Sequence, residues 1–550
     1  MSHKSGKHIL LDLLASEGVE FIFGNPGTTE LPLLDAMVVE TRIRYILGLN
    51  EVVVMGMADG YAQVTGRLAV CNLHAAPGLG NAMGMLYNAA KAGAPVLVTA
   101  GQQDTTIRLT EPLLWDDLAT LARPLCKWSF EVASLAELPR AIRRAAKVAL
   151  TAPTGPVFLS IPGDVLTAIA ESDLDLGEPT RIGARLRGDA ATIAVAAEMI
   201  QASTTPVIFA GDAVAKSDAH AELAALAEAI GAPVYLEGMA NTAAFPSNHS
   251  LYAGSVSRMA PALRAVMANH DLLISIGADL LTQSQASGFE ALAPGTRVIH
   301  LDDDPWQIGK NFAAAAAIQG DIKATLPELT AQVAECGAHR ADAIAADLSA
   351  KQAALLARAD AMAGELPLQP LPVLKLIGEL LPENAIVIEE LLSSGMNTVR
   401  QLVPAIGPDS WFGMRGGGIG VAIPQAAGIA LAHPDRRVVI LSGDGSAMYS
   451  AAGLWTLAHY RLPVVTIIFN NGGYRILKQR TRAIGDHSAR TGTFVAMDIE
   501  NPAIDFMALA AAHGVAGVRV ETLDLVRDAV MAALISDAPT LIEISVAREV

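Results

Sequence analysis

Cysteine, basic charge and long apolar runs are all scarce in this 550-residue chain. The three cysteines, Cys71, Cys126 and Cys336, stand far apart, which excludes a zinc module and a disulfide framework. Lys and Arg number 39 against 56 Asp and Glu, and the resulting net charge of −17 argues against a nucleic-acid surface. No run of 18 apolar residues occurs, so the 52% hydrophobic composition does not signify a membrane span. The opening Met-Ser-His-Lys-Ser-Gly-Lys-His leads into an amphipathic helix and not a signal peptide, and the cytoplasm is the expected compartment. Low-complexity tracts are missing too. What is present is too much chain for one core. Its 47 glycines and 17% charged residues suit large buried parallel sheets and extensive subunit contacts.

Short apolar runs alternate with helical stretches throughout, the pattern of doubly wound α/β units. Three such units are expected, at 1–180, 190–345 and 373–550. The first carries strands at Phe21–Phe23, Tyr45–Leu47, Leu68–Val70, Pro95–Val98 and Val157–Ile161. The second carries Pro206–Ala210, Leu272–Ile276 and Val298–Leu301, with Gly211-Asp212 and Gly277-Ala278-Asp279 following two of them. A nucleotide could bind there, but no fingerprint supports it, and a purely architectural domain is the favoured reading. A charged, Ala-rich helix over 340–365 and the Pro-rich stretch Leu366–Pro372, read as a linker, precede the third unit.

The third unit holds the motif around which the chain is organised. Arg436–Ser442 reads as a buried strand, Gly443-Asp444-Gly445 as a tight turn, and Ser450–His459 as a helix. Pro463–Phe469 reads as a second strand, ending in Asn470-Asn471-Gly472. Such a βαβ unit brings Asp444 and Asn471 together at the carboxyl ends of parallel neighbours, where open sheets bind ligands. A carboxylate and an amide oxygen are hard ligands suited to Mg2+, and the N–H groups of Gly445 and Ser446 open toward phosphates at a helix start.

Other polar residues also stand at strand ends. Glu51 opens the helix Val52-Val53-Val54-Met55; read alone, it is an N-terminal acid favoured by the helix dipole. His74 follows the strand ending at Leu73, within reach of Glu51 if the two converge, and suits acid–base work near neutrality. Gly78-x-Gly80-x-x-Met83-Gly84 lacks the spacing of a dinucleotide loop. Arg415-Gly416-Gly417-Gly418-Ile419-Gly420 permits close approach to a ring system, as any glycine turn does.

Asp444 and Asn471, with 24 residues from Ser446 to Phe469, resemble the diphosphate-binding motif of thiamine diphosphate enzymes. Phe23–Pro32, Asn72–Gly78 and Gly101-Gln102-Gln103 look like benzoylformate decarboxylases within the pyruvate-decarboxylase and acetohydroxyacid-synthase superfamily, and Asn501–Phe506 fits its last domain. The resemblance covers nearly the whole chain. It implies pyrimidine-binding, central and diphosphate-binding domains, with thiamine diphosphate and Mg2+ as cofactors. Asp444, Asn471 and Gly473 would hold the metal. Ser393, Ser394, Gly445 and Ser446 would meet the diphosphate, Tyr449 and Tyr474 would flank it, Ile419 would wedge beneath the rings, and the Gly417 carbonyl would accept from the aminopyrimidine. Glu51 would bond N1′ and so promote removal of the C2 proton, His74 would act as acid–base, and the Thr28 hydroxyl would bind the substrate carboxylate.

The implied reaction is decarboxylation of a 2-oxo acid through an enamine, releasing an aldehyde, in a lyase. The alternative is a carboligase that makes or cleaves 2-hydroxyketones. Two departures matter. Threonine stands at position 28 where benzoylformate decarboxylases have serine, and Asp279–Phe289 lacks their central-domain histidine. His487 is read as a residue of a solvated loop. The arginine- and aspartate-containing signature of the flavin-binding synthases is missing after Gly277, so a flavin is not expected. The family builds its site from the first domain of one chain and the third of another, so a homodimer at least, and a homotetramer by family habit, is implied.

Overall fold

The structure, a computed structural model, describes residues 4–170, 174–334 and 336–548. Three six-stranded parallel sheets follow one another along the chain. The first contains β1 (Phe21–Gly24), β2 (Arg44–Leu47), β3 (Ala69–Leu73), β4 (Val96–Gln102), β5 (Ser129–Glu131) and β6 (Val157–Pro162), in the order β2-β1-β3-β4-β6-β5. The second contains β7 (Pro206–Ala210), β8 (Val234–Leu236), β9 (Tyr252–Ser255), β10 (Leu272–Ile276), β11 (Arg297–Asp302) and β12 (Ala316–Gln319), in the order β12-β11-β10-β7-β8-β9. The third contains β13 (Ile386–Glu390), β14 (Trp411–Phe412), β15 (Val438–Gly443), β16 (Val464–Asn470), β17 (Ala516–Val520) and β18 (Thr540–Ser545), in the order β14-β13-β15-β16-β18-β17.

The sequence reading anticipates the central strands and misses β5, β8, β9, β12, β14 and β17. Five of these six are edge strands, and β8 adjoins an edge. An edge strand is not sandwiched between helices, so it lacks the near-continuous apolar run of a strand buried on both faces. β17 is exposed at four of its five residues, whereas the first five residues of β15 are all buried. One reading is corrected: Leu366–Pro372 is not all linker, because Pro370–Leu380 is a helix. Proline fits a first turn, where its missing N–H has no partner to lose.

In each sheet the crossovers leave two adjacent central strands in opposite directions, and the singled-out residues flank those points. Gly24-Asn25 and His74 follow β1 and β3; Gly211-Asp212 and Gly277–Asp279 follow β7 and β10; Glu390 and Asp444 lie at the ends of β13 and β15. Parallel strands bind ligands there because their carboxyl ends open into a crevice between diverging crossovers. The first and third units share a core through the helices Glu51–Thr65 and Ala422–Ala432. A Cβ on Gly56 would come within 2.6 Å of Pro424, so only glycine allows that approach. No helix among the described residues is long and apolar enough to cross a membrane.

Candidate active site

Asp444 is buried and opens the short helical turn Asp444–Ala447 directly after β15. β15 and β16 pair in parallel, which brings the segment after β16 beside it. The Gly473 N–H donates to Asp444 Oδ2 at 3.1 Å. Burial pushes the Asp444 carboxyl up to about 6, while the amides of Gly445, Gly472 and Gly473 pull the other way. The two asparagines divide their work. Asn470 Nδ2 donates to Glu543 at 2.8 Å, and its Oδ1 accepts from Gly472 N at 2.9 Å. Asn471, buried and one residue beyond the strand, is not used in this way. A carboxylate, an amide oxygen and the Gly473 carbonyl, which also accepts from Arg475 N at 2.9 Å, form a hard donor set that fits a small divalent cation.

Tyr474 packs over Gly445, where a Cβ would lie 2.8 Å from its ring. Ser446 and Ser394 are buried, Ser393 is half-buried just past β13, and Tyr449 is exposed against Gly420. The 415–420 loop is clasped from three sides. Asn88 Nδ2 donates to the Gly418 carbonyl at 2.8 Å and its Oδ1 accepts from Gly418 N at 3.1 Å. Asn241 Oδ1 accepts from Gly413 N at 3.2 Å and Arg415 N at 3.1 Å. Glu390 accepts from Gly420 N and, at 3.2 Å, from Val421 N; burial pushes its carboxyl up to about 7. With the Gly418 carbonyl committed to Asn88, the Gly417 carbonyl beside it remains for a ligand; Gly417 has φ +75°, which glycine adopts freely. Ile419 is half-buried on this loop.

The acids after β7, β8 and β10 are engaged elsewhere. Asp212, Glu237 and Asp279 all face the buried Arg415 guanidinium, with Asp279 at 2.9 Å. Those strand ends therefore tie the central unit to the 415–420 loop.

In the first unit, Glu51 is buried at the start of its helix, capped by Asn50 Oδ1 on Val53 N at 2.9 Å. Asn81 Nδ2 donates to Glu51 Oε2 at 3.0 Å and Asn25 Nδ2 to Oε1 at 3.4 Å. His74 is half-buried, with Nδ1 2.9 Å from Glu30 Oε2 and 3.1 Å from Thr29 Oγ1. A carboxylate at Nδ1 holds the proton there and leaves Nε2 as the free basic nitrogen. Glu30 also accepts from Gly27 N at 2.9 Å and Gly101 N at 3.0 Å. Thr28 is exposed, and the neighbouring Thr29 turns inward. His487 is exposed on the short helix His487–Thr491.

The structure thus brings Asp444, Gly473, Gly445 and Tyr474 together, and separately Glu51 with its two asparagines and His74 with Glu30. Among the described residues no hydrogen bond or ion pair joins Glu51 or His74 to the Asp444 cluster. Sequence reasoning singled out the strand-end stretch that holds Asn25 and Glu30 without giving either a role, and missed Asn81, Asn88, Asn241 and Glu390. Glu30 carried a signal, since a glutamate three residues beyond Gly27 reaches back to its N–H in capping-box fashion. Asn81 and Asn88 carried a weaker one, as the two amides of the largely apolar helix Ala75–Ala92.

The N-terminal TPP binding domain of thiamine pyrophosphate enzymes matches residues 4–119, their central domain residues 193–329 and their C-terminal TPP binding domain residues 393–544. A benzoylformate decarboxylase of Pseudomonas aeruginosa is 34% identical, over 97% of this chain and 97% of its own. An acetolactate synthase large subunit of Parasynechococcus marenigrum is 31% identical, over 99% of this chain and 88% of its own. Among solved structures, a thiamine diphosphate-dependent 4-hydroxybenzoylformate decarboxylase of Rhodococcus jostii superimposes with a TM-score of 0.87 at 32% identity, covering 99% of this chain and 100% of that one. A benzoylformate decarboxylase from Polynucleobacter necessarius gives 0.89 at 29% identity, covering 100% and 99%. Three parallel sheets, their order along the chain and relatives matched end to end agree, and the chain belongs to the family of thiamine diphosphate-dependent enzymes that includes benzoylformate decarboxylases and acetolactate synthases.

Proposed function

We propose that this chain decarboxylates a 2-oxo acid with thiamine diphosphate and Mg2+ and releases an aldehyde, in a site that two copies share. The observation that carries the reading is the hard donor set of Asp444, Asn471 and Gly473 beside the open turn at Gly445, in a chain similar over its whole length to a benzoylformate decarboxylase. When bound, thiamine diphosphate supplies a nucleophilic carbon and an electron sink. Asp444, Asn471 and the Gly473 carbonyl hold the metal; Gly445, Ser446, Ser393 and Ser394 meet the diphosphate. Tyr474 and Tyr449 flank that end. Ile419 would support the cofactor rings, and the Gly417 carbonyl would accept from the aminopyrimidine.

Glu51 exchanges a proton with N1′, and Asn25 and Asn81 aim its carboxylate. His74 moves a proton at the substrate through Nε2, with Glu30 fixing its ring. Thr28 offers a hydroxyl to the substrate carboxylate. Among the described residues no hydrogen bond or ion pair joins Glu51 to Asp444, and a second copy completes the site, as a homodimer or a tetramer of such dimers. A second reading, carboligation, is favoured by the lack of histidine over 279–289. With one proton donor fewer, a second carbonyl competes better for the electrons left when CO2 departs.

The test is a product screen of purified protein, with both cofactors, against aromatic and aliphatic 2-oxo acids and aldehydes. CO2 with free aldehyde supports decarboxylation, and 2-hydroxyketone supports ligation. Glu51→Gln should lower either turnover by two orders of magnitude or more, on the order of the contribution of a positioned proton-transfer group. Unchanged turnover in that variant would sink the mechanism. Asp444→Ala should abolish Mg2+-dependent cofactor binding in calorimetry.

A further inference from the structure

Two arginines meet where the central unit faces the helix that follows Asn471. Arg258 lies between β9 and the helix Ala260–Met267, and lines a cavity with Met239, Met259, Thr282 and Gln283. Arg480 belongs to the helix Arg475–Ile484, which starts directly after Tyr474. It sits about 8 Å of helical rise beyond the Arg475 end. Arg480 Nη1 is 2.7 Å from Met259 Sδ, and Arg258 Nη1 is 2.9 Å from Met239 Sδ. A thioether is a weak acceptor. Among the described residues neither guanidinium forms an ion pair with a carboxylate.

The charges acting on Arg258 are the repulsion of Arg480 and the attraction of Glu389. Glu389 is shared with the buried Arg400, and its Oε1 already accepts from Leu391 N at 2.9 Å. Glu237 and Asp279 also line this cavity, and both carboxylates are engaged by the Arg415 guanidinium. Two half-buried cations are therefore held side by side, on methionine sulfurs, beside a cavity of the central unit and on the helix that follows Gly473 and Tyr474. Planar guanidinium groups with unused N–H donors suit a carboxylate, which would accept from both at once.

We propose that Arg258 and Arg480 bind a second carboxylate at the remote end of the substrate, so that the chain acts on 2-oxo diacids. This rests on the 2-oxo acid reading above. A neutral aliphatic substrate end would leave the unused N–H donors of both guanidinium groups unmatched, whereas a carboxylate would accept from them.

The experiment compares kcat/KM for 2-oxoglutarate and 2-oxoadipate with that for 2-oxopentanoate and 2-oxohexanoate on the holoenzyme. The diacids should lead by roughly tenfold or more, the range of a charge-assisted hydrogen bond. Arg258→Met and Arg480→Met should each reduce the diacid-to-monoacid ratio by about the same factor, and the lysine variants should keep part of it. Monoacids turned over as well as or better than diacids would overturn the proposal. Binding of the unreactive pair glutarate and pentanoate is measured alongside by calorimetry. If no 2-oxo acid is turned over, the parent reading fails by itself. Tighter glutarate binding that weakens with salt and with either methionine variant then still upholds the arginine pair as a carboxylate site, and equal affinities overturn it.

Discussion

Glu30 is the residue through which the first unit's chemistry is organised. Its two oxygens hold Gly27 N, Gly101 N, Thr29 Oγ1 and His74 Nδ1, all within the polar ends of β1, β3 and β4. Replacing one oxygen by an amide nitrogen turns a donor toward a donor. Glu30→Gln should therefore cost about 1–3 kcal/mol of stability, the penalty of a buried unmatched hydrogen-bond group. It should also lower turnover through misplacement of His74. A urea titration and steady-state kinetics check both; an unchanged urea midpoint would refute the assignment. The same turn shows why side-chain roles were only partly legible. Thr28 and Thr29 are chemically identical, yet Thr28 faces solvent and Thr29 bonds Glu30 and His74. In a 3-10 turn with three residues per turn, adjacent side chains diverge by about 120°, and no local pattern tells which one points inward.

At the scale of elements, the contact between the helices Glu51–Thr65 and Ala422–Ala432 carries a buried charge. Asp59 accepts from Gln63 Nε2 at 2.9 Å and from Gln425 Nε2 at 2.8 Å. Burial pushes Asp59 up to about 6, although both amides favour its ionised form. A folded-state value above the ordinary 3.8 means that the protonated form is the stabilised one. That stability is complete below about pH 4 and is lost as pH rises through about 6. Asp59→Asn removes the titration. Its new donor has a ready acceptor, because Gln425 Oε1 is buried without a partner and the Gln425 amide can turn over to meet it. The variant should gain on the order of 1–3 kcal/mol over the wild type at pH 8 and little at pH 4. Urea midpoints at the two pH values check this, and parallel pH dependences would contradict it. The central strands were legible from their apolar runs, but this helix pair was not. Gly56 reads as a weak helix residue until the ring of Pro424 is seen against it.

At the scale of the molecule, the Glu51 and Asp444 clusters have separate hydrogen-bond partners. The partners of Glu51 lie between residues 25 and 81, and the Gly473 amide that meets Asp444 lies in the third unit. If two copies complete each other, Glu51→Gln and Asp444→Ala are inactive alone but partly active when co-expressed, because a mixed dimer contains one site with both residues intact. Activity that is never restored would assign the whole site to one chain. Dilution of the wild type should likewise lose turnover and cofactor affinity together, as binding and association are linked. The Arg415 knot is the other long-range device. By gathering Asp212, Glu237 and Asp279 it fixes the central unit against the loop that bears Gly417 and Ile419.

The sequence by itself determined the three parallel α/β units and the strand–turn–helix motif of Asp444 and Asn471. Buried parallel strands need continuous apolar runs, and metal or phosphate donors at their carboxyl ends sit at fixed local spacings. Only the tertiary structure showed that Thr29 turns inward while Thr28 faces solvent, and that Asn470 is bound to Glu543 and Gly472. It alone showed that Glu30, Asn81, Asn88 and Glu390 hold the site's geometry, and that Arg258 and Arg480, more than two hundred residues apart, stand side by side. Those facts depend on contacts between elements far apart in sequence, and a periodicity of two or of 3.6 residues carries no record of such contacts.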